Sequence, residues 1–205
     1  MIVDNFDIIK DIITFNNKDE FYFIQIVQRK KDGNNNQVGS NGYRTIKTYY
    51  IFSLEQFLKK RDKIIELCIT NNARAYMHIN VRNAKEVSLE CVKRYAGLVL
   101  ENNCFQGCRV WDSVCGGYHA LGYKALWLVD LDSKDSEYVN KIKDIINSCR
   151  GVQEYKIKYE IPTLNGIHLM TIGFDLNQFY QKLALENLDN IGIHKDSPTL
   201  LYFKA

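Results

Sequence analysis

Apolar positions along this chain recur with two spacings, alternate residues in some stretches and every three to four in others, and their order predicts a mixed fold. Residues 21–29 (Phe-Tyr-Phe-Ile-Gln-Ile-Val-Gln-Arg) are aromatic and β-branched, which predicts a strand. Residues 30–43 form a polar loop rich in Gly and Asn, and residues 44–51 predict a second strand, so the pair reads as a long hairpin with a basic tip. Ser53 then caps a helix carrying Leu54, Phe57, Leu58, Ile64, Ile65 and Leu67 at helical spacing, ended by Asn71-Asn72. Residues 73–81 alternate like a half-buried strand, residues 83–101 predict a second helix, and residues 102–123 are irregular.

The second half is more regular. It predicts a strand at 124–132, a helix at 136–149, strands at 154–161 and 166–174, a helix at 175–187 capped by Asp175, and a last strand at 191–203. That order is β-α-β-β-α-β, the split βαβ arrangement also called ferredoxin-like. The expected fold class is α+β: an N-terminal α/β module with the basic hairpin over 1–123, packed as one compact unit on a core over 124–205.

Composition narrows the class. The 205 residues are 46% hydrophobic and 25% charged, with a net charge of +3, so a nucleic-acid partner has to be held by a local patch. Asp4, Asp7, Lys10 and Asp11 interrupt the first apolar stretch, and no run approaches the roughly 18–20 apolar residues of a spanning helix. No membrane partner and a cytoplasmic location are expected. The six cysteines then read as thiols, Cys68 and Cys91 lying on apolar helix faces.

Two motifs carry chemistry. Leu126-Trp-Leu-Val-Asp-Leu-Asp132 is an apolar run ending in acids two residues apart, which a strand places on one face. Such a pair can grip one cation; alternatively Asp132 caps the next helix. Thr163-Leu-Asn-Gly-Ile-His168 enters a later strand, where Gly166 lets a phosphate approach the backbone and His168 can donate to it. On the last strand, Ile191-Gly-Ile-His-Lys-Asp196 offers Asp196 as a third acid and Lys195 or His194 as a phosphate contact, although Asp-Ser-Pro is also a turn signal; Asp175 and Asp189 are competing acids.

An acid pair, then Gly-x-His on a later strand, then a further acid, on a β-α-β-β-α-β core, resembles the archaeo-eukaryotic primase superfamily, including the primase-polymerases of phages and plasmids. The matching residues are Asp130-Leu131-Asp132, Gly166-Ile167-His168 and, more weakly, Asp196. The resemblance implies an RRM-like primase-type core with an N-terminal module packed on it. It implies Mg2+ or Mn2+ on Asp130, Asp132 and Asp196, and a nucleoside triphosphate near Asn165, Gly166, His168 and Lys195. The implied activity is nucleotidyl transfer on a single-stranded template, Asp130, Asp132, Asp196 and His168 carrying the chemistry, with a helicase or other replication protein as a further partner. The alternative is a non-catalytic nucleotide- or nucleic-acid-binding protein of the same fold.

Two further sets stand apart. Cys104, Cys108, Cys115 and His119 supply four soft ligands, but without a Cys-x2-Cys pair ordinary thiols are expected rather than zinc. Arg29, Lys30 and Arg44 in the hairpin, with Arg74, Tyr76 and Arg82 on the next strand, offer charge and stacking surface for single-stranded nucleic acid; alternation puts Arg74, Tyr76, His78 and Asn80 on one face.

Overall fold

The computed structural model describes residues 1–33, 38, 40–117, 125–189 and 191–204. Among these, the fold is α+β, with two antiparallel sheets and six α-helices. The first sheet holds β1 (Ile2–Asp4), β2 (Glu20–Arg29), β3 (Tyr43–Ile51), β4 (Arg74–Asn83) and β9 (Pro198–Lys204) in the order β1-β9-β4-β2-β3. The second holds β5 (Trp127–Leu131), β6 (Ile157–Pro162), β7 (Ile167–Thr171) and β8 (Gly192–His194) in the order β6-β7-β5-β8.

Residues 1–20, where the apolar pattern is broken by acids, hold β1 and the short helix α1 (Phe6–Ile12). Helix α2 (Leu54–Thr70) starts at Ser53, whose hydroxyl accepts from the Gln56 amide at 3.1 Å. Helices α1 and α2 bury Phe6, Ile9, Phe57 and Ile64 against Ile24, Ile26, Ala75 and Met77 of the first sheet. Helices α3 (Ala84–Leu100) and α4 (Val110–Gly116) cover Phe21 and Phe23 with Val87, Val110 and Val114. In the second sheet, alternation sends Val129, Leu131 and Leu169 toward α5 (Ser136–Ser148) and α6 (Leu176–Leu185), where they meet Ile142, Ile146 and Phe179. The other face carries Leu128, Asp130, His168 and Met170, and Leu128 and Met170 join the core cluster of the first sheet.

The second sheet follows the β-α-β-β-α-β order through β8, but the strand expected at 191–203 is two strands in two sheets. Residues 195–197 turn the chain between them; Pro198, with no N–H to donate, begins β9 opposite His78. The first sheet is therefore completed from both ends of the sequence, across the boundary expected at residue 123. Two buried asparagines tie the sheets together. Asn5 donates to Pro162 O and Leu200 O, each at 2.8 Å. Asn80 accepts from the Leu126 amide at 2.6 Å and donates to its carbonyl at 2.9 Å, just before β5. Among the described residues no helix is long and apolar enough to cross a membrane.

Candidate functional site

Asp130 on β5 lies directly opposite His168 on β7, and their side chains meet, Oδ1 to Nε2 at 3.3 Å. A carboxylate only accepts, so Nε2 of His168 carries the proton. The other ring nitrogen, Nδ1, lies 2.8 Å from the hydroxyl of Thr199 on β9. The His168 hydrogen bond holds the Asp130 carboxyl below its ordinary pKa; partial burial opposes this, and the nearby His168, His194 and Lys31 reinforce it. Asp130 stays ionised and half-exposed.

Asp130 and Asp132 open onto a cavity of about 480 Å³ that also receives Asn165 and His168. The opposite wall comes from the first sheet: Arg29 at the end of β2, Lys31 and Asp32 in the turn after it, and Arg74 and Tyr76 on β4. Asp130 and Asp132 thus face Arg29, Lys31 and Arg74, the last of these paired with Asp32 on its own wall. The cations are braced. Arg74 Nε donates to Asp32 Oδ2 at 2.7 Å, and its guanidinium lies 4.5 Å over the Phe203 ring. Arg29 donates to the Tyr76 hydroxyl at 2.7 Å.

Asp132 does not cap α5. That role falls to Asp135, which accepts from the Glu137 amide at 3.0 Å, and Asp132 is left exposed at the cavity edge. Asp175 caps α6 through Gln178 N at 3.1 Å and so is not a competing acid; Asp189 shares a neighbouring depression with Asp130 and Asp132. Gly166 is buried and does not line the cavity. A Cβ there would lie 1.8 Å from Leu131 O and 2.7 Å from Ser133 N. Its lack of a side chain lets the Thr163–Gly166 turn nest against the end of β5; it does not open a path to phosphate.

Several expected site residues lie elsewhere. Asp196, expected as the third metal acid, is buried against Arg82, with Nη2 to Oδ2 at 2.6 Å. It also accepts from Asn80 at 3.1 Å and does not line the cavity. Arg82, expected to contact nucleic acid, is fully buried as its partner. Lys195, expected at the triphosphate, sits 5.3 Å over the Trp127 ring, on the helix-covered side of the second sheet. Lys30 and Arg44 are exposed outside the cavity. His78 and Asn80 are buried, so the face expected to track a backbone is open only at Arg74 and Tyr76.

Cys104 and Cys108 are exposed, Cys115 is buried with its thiol pushed up to about 12 by burial, and His119 lies outside the described residues. Cys68 is buried and Cys91 partly so. Among the described residues no group of three or more His, Cys, Asp or Glu is arranged to hold a metal ion. Thr199 was not read as a site residue, and Lys31 only as part of the basic hairpin. Lys31 had a signal in the Arg29-Lys-Lys31 run; Thr199 had none, because its partner is reached only through the turn between β8 and β9. Comparison with protein-family models, with curated proteins and with solved structures gives no match.

Proposed function

We propose that this protein is a primase-polymerase-like nucleotidyltransferase that joins nucleoside triphosphates on a single-stranded template in the cytoplasm. The second sheet is its primase-type core, and a helicase or other replication protein is its partner. The observation that carries this reading is the bipolar cavity, with Asp130, Asp132 and His168 facing Arg29 and Lys31.

The donor set fits Mg2+ or Mn2+, which are commonly held by one or two carboxylates with phosphates and water supplying the rest. Asp130 and Asp132 would hold the cations, and these would neutralise charge on the reacting phosphate. In the reaction, a primer 3′-hydroxyl gives up its proton to solvent as its oxygen bonds to the α-phosphorus, the bond from that phosphorus to the oxygen bridging to the β-phosphate breaks, and pyrophosphate leaves. His168 donates from Nε2 to a phosphate oxygen, exchanging Asp130 for it. Lys31 and Arg29 attract the phosphate tail, and Tyr76 offers a ring for stacking.

A second reading is supported by Asp196: with that acid spent on Arg82, two carboxylates remain, which suits a nucleotide-binding protein without turnover. One experiment separates the two. Extension of a labelled primer on a DNA or RNA template with Mn2+ is expected to give products that Asp130→Asn abolishes. Metal-dependent binding of a non-hydrolysable triphosphate without extension supports the binder. Triphosphate binding that is the same with and without metal, and unchanged in Asp130→Asn, defeats both.

A further inference from the structure

We infer that Thr199 is a positioning residue, which aims the Nε2–H of His168 into the cavity. This rests on the proposed function and names a part of the site that neither motif contains.

Thr199 belongs to β9 of the first sheet, paired in register with Met77 of β4, and is fully buried. His168 belongs to β7 of the second sheet. The hydroxyl of Thr199 stands 2.8 Å from Nδ1, and the other nitrogen faces Asp130. With the proton on Nε2, the Nδ1 lone pair needs a donor, and the threonine hydroxyl can rotate to supply one. A ring flip would break this bond and carry Nε2 away from Asp130, whereas the carboxylate, which only accepts, keeps the proton on Nε2. Thr199 therefore holds the ring in the orientation that donates into the cavity, both to Asp130 and to a phosphate that replaces it.

The strand that carries Thr199 is itself anchored. Three residues earlier Asp196 is held by Arg82, and one residue earlier Pro198 lies opposite His78. His168 is thus latched from the opposite sheet, and its orientation depends on the two sheets being docked.

The test is a cycle of four full-length proteins: wild type, Thr199→Val, His168→Ala and the double variant, with Thr199→Ser as the conservative control. Valine keeps the branched shape and suits a strand, so the substitution removes the hydroxyl with little change in packing. The readouts are affinity for a non-hydrolysable nucleoside triphosphate with Mn2+, affinity for Mn2+ alone, and the ¹⁵N shifts of the His168 ring. Thr199→Val is expected to weaken triphosphate binding about two- to tenfold, the range of one net hydrogen bond, and to leave Mn2+ binding unchanged. Thr199→Ser restores the affinity. In the His168→Ala background Thr199→Val adds nothing. The ring shifts report Nδ1 as an unprotonated nitrogen that accepts a hydrogen bond in the wild type, and Thr199→Val removes the hydrogen-bond contribution to that shift.

A loss of the same size in the His168→Ala background, or a Thr199→Val protein that binds like wild type while His168→Ala binds weakly, overturns the inference alone. Should His168→Ala itself bind the triphosphate like wild type, the proposed use of the cavity falls with it.

Discussion

Arg82 and Asp196 meet end-on in the interior, with Nη2 2.6 Å from Oδ2 and Nη1 3.2 Å from Oδ1. Every N–H of the guanidinium has an acceptor: Nε donates to Cys115 O at 2.8 Å, Nη1 also to Asn80 O at 2.9 Å, and Nη2 also to His78 Nδ1 at 3.0 Å. His78 Nδ1 therefore accepts, which makes its imidazole neutral with the proton on Nε2. The node joins β4, α4 and the turn between β8 and β9 behind the cavity.

Removing the carboxylate charge leaves the buried guanidinium uncompensated. Asp196→Asn is expected to lose about 3–5 kcal/mol of unfolding free energy, read by urea denaturation. Its Mn2+ affinity, measured under conditions where it is folded, should match wild type. A protein of normal stability with a large loss of Mn2+ affinity would return Asp196 to the metal set.

The same node sets a pH dependence. Burial pushes the His78 imidazole below its ordinary pKa, Arg82 adds to this, and Asp196 opposes it. The unfolded chain therefore takes up a proton before the folded one as pH falls below about 6.5. Stability is full above that value and declines below it, until the folded imidazole titrates. Asp196 follows at lower pH. Burial pushes its carboxyl up, but the Arg82 charge and the Asn80 hydrogen bond, joined by His78 once its imidazole is protonated, outweigh this and hold it below the ordinary range. Its contribution is present above about pH 4 and is lost as pH falls through its lower folded value. Urea unfolding between pH 7 and pH 3 should show both declines, and His78→Gln should flatten the first. A stability that is flat from pH 7 to pH 5 would refute the buried neutral histidine.

Gly166→Ala places a methyl group on the Leu131 carbonyl. Since the atoms it would meet are all backbone, no side chain can swing away, and either the turn or the end of β5 must shift. The loss expected is at the upper end of the about 1–3 kcal/mol of overpacking, or beyond it. Thermal unfolding checks this. An alanine variant that melts like wild type yet fails to bind triphosphate would make Gly166 a phosphate contact after all.

The order of elements was legible because it rests on local signals. Ser53 and Asp175 cap the helices they were expected to cap, and β5, β7 and their alternation follow from apolar spacing. The region before residue 20 was not legible, since Asp4 ends a three-residue strand and Asp7 and Asp11 break the apolar rhythm on the solvent side of a seven-residue helix. The site was legible where one strand or one motif specifies it, as for Asp130, Asp132, Asn165 and His168. It was not legible where two distant segments decide a side chain's fate. Spacing makes Asp196 an acid on a strand; only the fold brings the buried Arg82 to it, across 114 positions of sequence. Arg82 and Arg74 look alike in the alternation of β4, yet one closes a buried node and the other lines the cavity.

Lys31 and Lys195 provide the sharpest contrast between cavity and surface. Both are lysines near a motif, and both affect the net charge equally when removed. Lys31 lines the cavity and lies close enough to Asp130 to help hold its carboxyl low, whereas Lys195 sits over Trp127 on the helix-covered side of the second sheet. Lys31→Ala should therefore weaken triphosphate binding about five- to tenfold in low salt, the equivalent of roughly 1–1.4 kcal/mol for one partly screened charge contact, and the difference should shrink as salt is raised. Its Mn2+ affinity should not fall, because loss of a cation near Asp130 favours another cation there. Lys195→Ala should leave triphosphate affinity unchanged while altering the fluorescence of Trp127. Equal losses in the two variants would mean that binding senses overall charge rather than a phosphate subsite between Lys31 and the acid pair, and the bipolar cavity would no longer support nucleotide handling.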